Sequence, residues 1–86
     1  MEIVYTESAL ADLAYWKKSG NLKIQSRIAL LLQSITEDPF KGIGKPEPLK
    51  HQLSGTWSRR ITQEHRLVYK VDKNIITILA LKHHYQ

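Results

Sequence analysis

The chain contains no cysteine. This absence excludes disulfide bonds, a thiolate nucleophile and zinc held by cysteine, and it is typical of proteins from a reducing cytoplasm. The chain also lacks an apolar run of about 18 residues, the length that a membrane-spanning helix needs. Its first residues have an acidic side chain, Glu2, where a signal peptide would carry basic ones. We therefore expect a cytoplasmic protein with no membrane partner.

The chain has enough apolar residues for one modest core. Leu, Ile, Val and Phe account for 24 of the 86 residues, which is above the level at which chains tend to stay disordered. A chain of this length has no room for a second core. Residues 1–86 are therefore expected to form a single domain.

Positive charge is concentrated in the second half of the chain. Residues 1–38 carry four Lys and Arg against five Asp and Glu, whereas residues 39–86 carry nine against three and contain all four histidines. Such an asymmetry favours a binding site for a polyanion in the second half. A basic surface that serves only solubility is the alternative.

Two helices are predicted in the first half. Thr6 follows a β-prone run, Glu2 to Tyr5, and can cap a helix that ends at Lys17-Lys18-Ser19-Gly20. Asn21 can cap a second helix, which Pro39 ends. The predicted packing positions are Leu10, Leu13, Ala14 and Lys17, with Ala9 and Trp16 beside them, in the first helix, and Ile24, Ile28, Leu31, Leu32 and Ile35 in the second.

Three strands are predicted in the second half, at Thr56 to Ile61, Arg66 to Val71 and Ile75 to Lys82. A turn at Asp72-Lys73-Asn74 joins the last two. The predicted fold class is α+β with the order β-α-α-β-β-β. In this fold a two-helix hairpin packs on a twisted, mainly antiparallel sheet.

The segment from Asp38 to Gly55 is irregular, because glycines and prolines interrupt any periodicity. Lys45 and Glu47 each precede a proline, which favours an extended backbone at both positions. Glu47, with a proline on either side, is therefore expected to be held on a stiff backbone. A rigid connector with an incidental acid is the alternative.

Alternation along the middle strand places Arg66 and Lys70 on one face with Val68 between them. The opposite face, with Leu67, Tyr69 and Val71, is expected to pack on the helices. A cationic row on the solvent face could line a groove for a phosphate backbone. Arg59 and Arg60 could contribute to that groove or serve only solubility.

Together these residues favour RNA cleavage without a metal. The RNA 2′-hydroxyl can attack the adjacent phosphate if the enzyme supplies a base, an acid for the leaving 5′-oxygen and positive charge for the phosphorane. Glu47 could be the base and His84 the acid, with Arg66 at the phosphate and Tyr85 stacking on a base or bonding a phosphate. Adjacent residues on a strand point to opposite faces, so His83 and His84 could not easily share one ion, and neither metal nor cofactor is expected.

The chain resembles the YoeB (Txe/YoeB) toxins, a branch of the RelE-like toxins of bacterial toxin–antitoxin systems, over nearly its whole length. The matching segments are Tyr15-Trp16, Asp38-Pro39-Phe40, Gly42 to His51, Ser54 to Ile61 and the His84-Tyr85 end. The resemblance implies a microbial-ribonuclease-like fold and an mRNA interferase that cuts messages on the ribosome. One departure is Gln86, because members of this family commonly end on the tyrosine.

The resemblance also implies roles for individual residues. The glutamate of the family's Lys-Pro-Glu-Pro motif falls on Glu47 as general base, and the phosphate-stabilising arginine falls on Arg66. The terminal pair matches His84 as acid and Tyr85 as its support. The lysine that follows Pro-Leu in the family falls on Lys50. Apart from the resemblance, RNA contacts are also expected from Lys45, His51, Arg59 and Arg60.

The resemblance further implies an antitoxin partner, YefM-like, whose acidic and partly disordered tail covers the basic site, and a possible homodimer. Messenger RNA and the ribosome are the other expected partners, and operator DNA is expected only for the toxin–antitoxin complex. The alternative is a module of the same fold that cuts nothing and binds operator DNA together with its antitoxin. Charge alone does not distinguish the nuclease from the binding module, because counterions are released whether a protein cuts a nucleic acid or only binds it.

Overall fold

A computed structural model of the chain describes residues 1–50 and 55–83. The described elements form two helices and a five-stranded sheet, which confirms the predicted α+β class. One element is additional, because residues 47–48 pair as a short strand that the sequence pattern had placed in an irregular segment. In chain order the elements are β1 (Glu2–Tyr5), α1 (Glu7–Ser19), α2 (Leu22–Glu37), β2 (Glu47–Pro48), β3 (Thr56–Arg60), β4 (Arg66–Asp72) and β5 (Ile75–Ala80).

The predicted helix caps are confirmed. The Thr6 hydroxyl accepts a hydrogen bond from the backbone N–H of Ala9 at 3.1 Å, and Asn21 Oδ1 accepts one from Ile24 at 3.0 Å. Gly20 ends α1 with a φ of 73°, the left-handed conformation that glycine adopts without a steric penalty. In the part of the chain that the structure describes, neither helix is long and apolar enough to span a membrane.

The sheet has the strand order β1-β5-β4-β3-β2. β1 pairs in parallel with β5, and the other neighbouring strands are antiparallel, so the sheet is mixed but mainly antiparallel, as predicted. The parallel pair is possible because α1 and α2 connect β1 to the rest of the sheet over a long crossover.

The core lies between the helices and one face of the sheet. In α2 the predicted positions Ile24, Ile28, Leu31 and Ile35 are buried. In α1 the prediction was partly wrong, because the stripe that packs inward runs through Ala9, Leu13 and Trp16 and leaves Leu10 about half exposed. The sheet side of the core contains Ile61, Leu67, Tyr69, Ile76, Ile78 and Leu81.

The middle strand, β4, has one face on the helices, as predicted, through Leu67 and Tyr69. The other face is not the open cationic surface that alternation suggested. Val68 has no exposed surface, and Arg66 and Lys70 on either side of it are half-buried. The pairing of β4 with β5 is irregular between Val68 and Tyr69, which bends the strand at this point.

Candidate active site

Strand register brings the predicted base and the predicted phosphate ligand to the same face of the sheet. Glu47 on β2 pairs with Ser58 on β3, and Ser58 in turn pairs with Val68 on β4. Arg66, two residues before Val68, is a diagonal neighbour of Ser58 on that face. A pair 19 positions apart in sequence is thus aligned by two strand pairings.

Glu47 and Arg66 form an ion pair. Arg66 Nη1 donates to Glu47 Oε1 at 2.6 Å, with 18% of the arginine side chain and 55% of the glutamate side chain exposed. The carboxylate is therefore open to a substrate, while the guanidinium is held from behind by the sheet. This confirms that the two groups lie together, although not their chemical roles.

Ser58 is a contact that the sequence reasoning missed. Its hydroxyl, which has no exposed surface, accepts a second hydrogen bond from Arg66 Nη1 at 3.0 Å. Within residues 1–50 and 55–83, both side-chain bonds of Arg66 use this one nitrogen, and the other donors of the planar fork bond to none of these residues. Period-two alternation, which puts Ser58 on the face opposite Trp57, could have revealed this neighbour.

Three of the predicted RNA-binding cations are exposed and lie near Glu47 in sequence or beside Arg66 in the sheet, namely Lys45, Lys50 and Arg60. Arg60 is the cross-strand partner of Arg66. The extended backbone predicted for Lys45 is wrong, because its φ is 51°. The preceding loop must turn sharply beside Gly44, whose carbonyl accepts the Arg60 N–H at 2.7 Å, and this contact outweighs the preference that Pro46 imposes.

The predicted RNA contact by Arg59 is corrected by the structure. Arg59 has no exposed surface, so its guanidinium cannot reach a phosphate. Its side chain instead makes five hydrogen bonds, to Tyr69 Oη, Ser34 Oγ and the carbonyls of Asp38, Lys41 and Ile43. The signal for this burial was present in the sequence, since alternation places Arg59 on the same strand face as Trp57 and Ile61.

Tyr69 completes this buried arrangement. Its hydroxyl donates to the Pro39 carbonyl at 2.6 Å and accepts from Arg59 Nε at 3.1 Å. Burial raises the pKa of Tyr69 above its ordinary value, although the neighbouring Arg59 guanidinium acts in the opposite direction. Arg59 and Tyr69 thus fix the loop after α2, which leads directly to Glu47.

The end of the described chain lies beside Arg66. The backbone N–H of Arg66 donates to the His83 carbonyl at 3.0 Å, and the His83 N–H donates to His65 Nδ1 at 2.7 Å. Further back, Leu81 is bonded to α1 through Asp12 Oδ2 at 2.9 Å and Trp16 Nε1 at 2.8 Å. The predicted residues His51, His84 and Tyr85 lie outside the described residues.

Over the described ranges, no three His, Asp or Glu side chains come close enough together to hold a metal ion. What the described geometry offers is a half-exposed carboxylate in contact with a guanidinium, with exposed cations at neighbouring positions of the chain. That combination defines a small basic α+β protein with groups suited to acid–base chemistry on a phosphodiester.

Comparison with known proteins identifies the family. Residues 5–85 match the model of the YoeB-like toxins of bacterial type II toxin–antitoxin systems. The toxin YoeB of Synechocystis is 49% identical over 86 residues, covering 100% of this chain and 99% of that protein. The chain therefore belongs to the YoeB-like toxins of type II toxin–antitoxin systems.

Solved structures agree with this assignment. A YoeB dimer from Staphylococcus aureus has a TM-score of 0.89 and 44% identity, with 99% of this chain and 98% of that chain covered. A YoeB–YefM complex from the same organism has a TM-score of 0.86 and 45% identity, with the same coverage.

Proposed function

We propose that this toxin is a metal-independent, ribosome-dependent endoribonuclease that cuts messenger RNA by attack of the RNA's own 2′-hydroxyl. The observation that carries the proposal is the contact between the half-exposed Glu47 carboxylate and the Arg66 guanidinium. In RNA the 2′-oxygen and the scissile phosphate are attached to neighbouring atoms of one ribose. A base and a phosphate ligand that act on them must therefore be neighbours too.

Glu47 is the proposed general base. Its half-exposed carboxylate can take the proton from the 2′-hydroxyl as the 2′-oxygen forms its bond to phosphorus. The β2–β3 pairing and the flanking prolines hold the carboxylate in place before substrate arrives. Such a proton transfer typically contributes about 10²- to 10⁴-fold to the rate.

Arg66 is the proposed ligand of the phosphorane. Negative charge develops on the non-bridging oxygens as the 2′-oxygen attacks, and donors that are already aimed at those oxygens stabilise it. Ser58 and the ion pair with Glu47 hold Arg66 Nη1, which orients the guanidinium plane before substrate binds. When RNA binds, its phosphate oxygens compete with the carboxylate for this guanidinium, which releases Glu47 for the hydroxyl.

His84 is the proposed acid, with Tyr85 supporting it. As the bond between phosphorus and the 5′-oxygen breaks, His84 gives its proton to that oxygen. The products are a 2′,3′-cyclic phosphate and a 5′-hydroxyl. These two roles come from the family resemblance, and they are supported by the anchoring of His83 beside Arg66.

The proposed partners follow from charge and from the neighbouring structures. The exposed cations Lys45, Lys50 and Arg60, together with His51, are proposed to hold the message in the ribosome. A YefM-like antitoxin is proposed as the partner, because a YoeB of Staphylococcus aureus forms a complex with YefM. Its acidic tail is proposed, from the family resemblance, to cover the same cations. A homodimer is proposed because a YoeB of Staphylococcus aureus forms a dimer. Binding to operator DNA as the toxin–antitoxin complex is proposed from the family resemblance alone.

The test is cleavage of a translated message by the wild type, by Glu47→Gln and by His84→Ala, followed by primer extension with and without ribosomes. We expect ribosome-dependent cuts by the wild type and loss of cleavage in both variants, by about 10²-fold or more. Glu37→Gln, which removes an exposed carboxylate at the end of α2, is the matched control and should cut normally. Full activity of Glu47→Gln and His84→Ala, or no cleavage and no growth arrest by the wild type, would refute the proposal in favour of a purely DNA-binding module.

A further inference from the structure

His65 forms the inner end of a tight turn between β3 and β4. Thr62 Oγ1 accepts hydrogen bonds from the N–H groups of Glu64 and His65, and the His65 carbonyl accepts from Ile61 and Thr62. The imidazole is buried, with 11% of the side chain exposed. Its backbone is thus fixed on both sides, so the ring has little freedom to move.

The ring has two neighbours that hold its plane. Trp16 of α1 contacts it edge to face with centroids 4.8 Å apart, and the His83 ring lies at 5.3 Å. Trp16 itself is anchored, because its Nε1 donates to the Leu81 carbonyl at 2.8 Å. The His65 imidazole therefore lies between α1 and residues 81–83, which follow β5.

The contact to His83 determines which ring nitrogen of His65 carries the proton. The His83 backbone N–H donates to Nδ1 at 2.7 Å, so Nδ1 must offer its lone pair. The proton of the neutral ring is then on Nε2, which lies 3.5 Å from Glu64 Oε1. A second proton on the ring would occupy Nδ1 and remove the acceptor for His83.

His83 has an unusual backbone that needs such support. Its φ is 63°, the left-handed region that non-glycine residues rarely adopt. Strained conformations of this kind persist only where the surroundings fix them. Here both backbone groups of His83 are bonded, the N–H to His65 Nδ1 and the carbonyl to the N–H of Arg66.

We infer that His65 is a positioning residue, whose Nδ1 holds the backbone N–H of His83 and thereby fixes the chain after β5, immediately before the proposed acid His84 in the sequence. The inference rests on the proposed function for the role of His84, but not for the hydrogen bond itself. His65 does not touch the substrate in this account. It acts by fixing the peptide group between Lys82 and His83.

The test compares His65→Leu, which removes the acceptor, with His65→Asn, whose Oδ1 can take the place of Nδ1. In His65→Leu the amide proton of His83 should lose its protection against hydrogen exchange while those of β4 and β5 keep theirs. The cleavage rate at saturating substrate should fall about tenfold or more, since a misplacement of about 1 Å can cost about 100-fold, with KM changed by less than about twofold. His65→Asn should restore most of the exchange protection of the His83 amide and most of the cleavage rate.

A measurement on the wild type decides the case if His65→Leu fails to fold. The ¹⁵N chemical shifts of the His65 ring should show Nδ1 without a proton and Nε2 with one. A ring with its proton on Nδ1, an His83 amide equally protected in His65→Leu, or equal loss of activity in the Leu and Asn variants would each overturn the inference. If the wild type cuts no RNA, the proposed function fails, while the exchange and ring-nitrogen results still judge the role of His65.

Discussion

Arg59 and Arg60 are adjacent arginines with opposite environments. The side chain of Arg59 is fully buried and bonded to three carbonyls of the loop after α2, whereas Arg60 points to the other face and is exposed. A buried cation is tolerated only when its donors are satisfied. Their residue type does not distinguish the two arginines. Strand alternation does, because it places Arg59 on the face of Trp57 that packs on the core and Arg60 on the opposite face.

Arg59→Lys should destabilise the fold by about 2–3 kcal/mol, because an ammonium on a flexible stem cannot reproduce the planar fork that binds several carbonyls and a hydroxyl. Arg60→Lys is the matched control and should change stability by less than about 0.5 kcal/mol. Urea unfolding of the two variants measures this difference. Equal stability of both variants would mean that the guanidinium geometry of Arg59 is not needed.

Tyr69 predicts how stability changes at alkaline pH. Its pKa is raised in the folded protein above the ordinary value of 10.0, mainly by burial. Above that value the phenol of the unfolded chain ionises first, so the unfolded state binds fewer protons and stability falls as pH rises through the folded pKa. Below the ordinary value of 10.0, where the phenol keeps its proton in both states, the contribution of Tyr69 to stability is fully present.

Urea unfolding between about pH 9 and about pH 11 should show a steeper loss of stability for the wild type than for Tyr69→Phe. The Phe variant is expected to be less stable at neutral pH, because the bonds to Pro39 and Arg59 are lost. Tyr15→Phe, at a half-exposed position, controls for removal of a phenol as such. Parallel curves for wild type and Tyr69→Phe would contradict the assignment.

At the level of elements, local signals predicted the helices well. Each helix start is marked by a capping residue, Thr6 or Asn21, and α2 also by its apolar spacing. These signals involve residues close together in sequence, so the helices could be predicted without tertiary information. The stripe of α1 was harder, because Leu10 is apolar yet exposed and Ala9 is small yet buried. Which side of α1 faces the core depends on the surface that β5 and α2 present to it, and the sequence of α1 does not specify that surface.

Strand β2 shows what local signals could not give. The segment around Glu47 has no periodicity, and its strand exists only because Ser58 and Trp57 offer a pairing edge. The contact between Glu47 and Arg66 likewise depends on register across three strands, which a single sequence does not specify. The sequence therefore predicted that the two residues belong to one site, but not the distance between them.

The loop before β2 depends on close packing at Gly44. A Cβ there would lie 2.6 Å from Leu31 Cδ2 and 3.1 Å from Arg59 Cβ, and φ is +83°. Gly44→Ala should therefore lose about 1 kcal/mol for the backbone and about 1–3 kcal/mol more for overpacking. Gly20→Ala, at φ +73° with no atom within 4 Å, should lose only the backbone part.

Thermal unfolding of the two glycine variants measures the difference between them. A Gly44→Ala variant that is as stable as Gly20→Ala would show that the loop relaxes away from Leu31 and Arg59. In that case the loop would not be a rigid support for Glu47.

For the whole molecule, the net charge of +5 lies mainly in the half that forms β2 to β5. Binding of single-stranded RNA should therefore weaken with salt, with a log–log slope of about −0.7 for each phosphate contact. Binding is best measured with the Glu47→Gln variant, which is expected not to cut. Lys50→Gln should make the slope shallower by about 0.7, whereas Lys18→Gln at the end of α1 should leave it unchanged.

A slope that responds equally to both lysine substitutions would show that RNA follows net charge and does not use the face around Glu47. A slope unchanged by Lys50→Gln would remove that residue from the RNA contact. Both outcomes concern binding and leave the chemical step to a separate measurement.

That step is tested most directly with a translated message carrying a single 2′-deoxynucleotide on the 5′ side of the cleaved bond, in the presence of EDTA. The unmodified message should be cut by the wild type to a 2′,3′-cyclic phosphate and a 5′-hydroxyl, and the deoxy message should remain intact at that bond. Equal cleavage of both messages would contradict attack by the 2′-hydroxyl, and with it the assignment of Glu47 as the base.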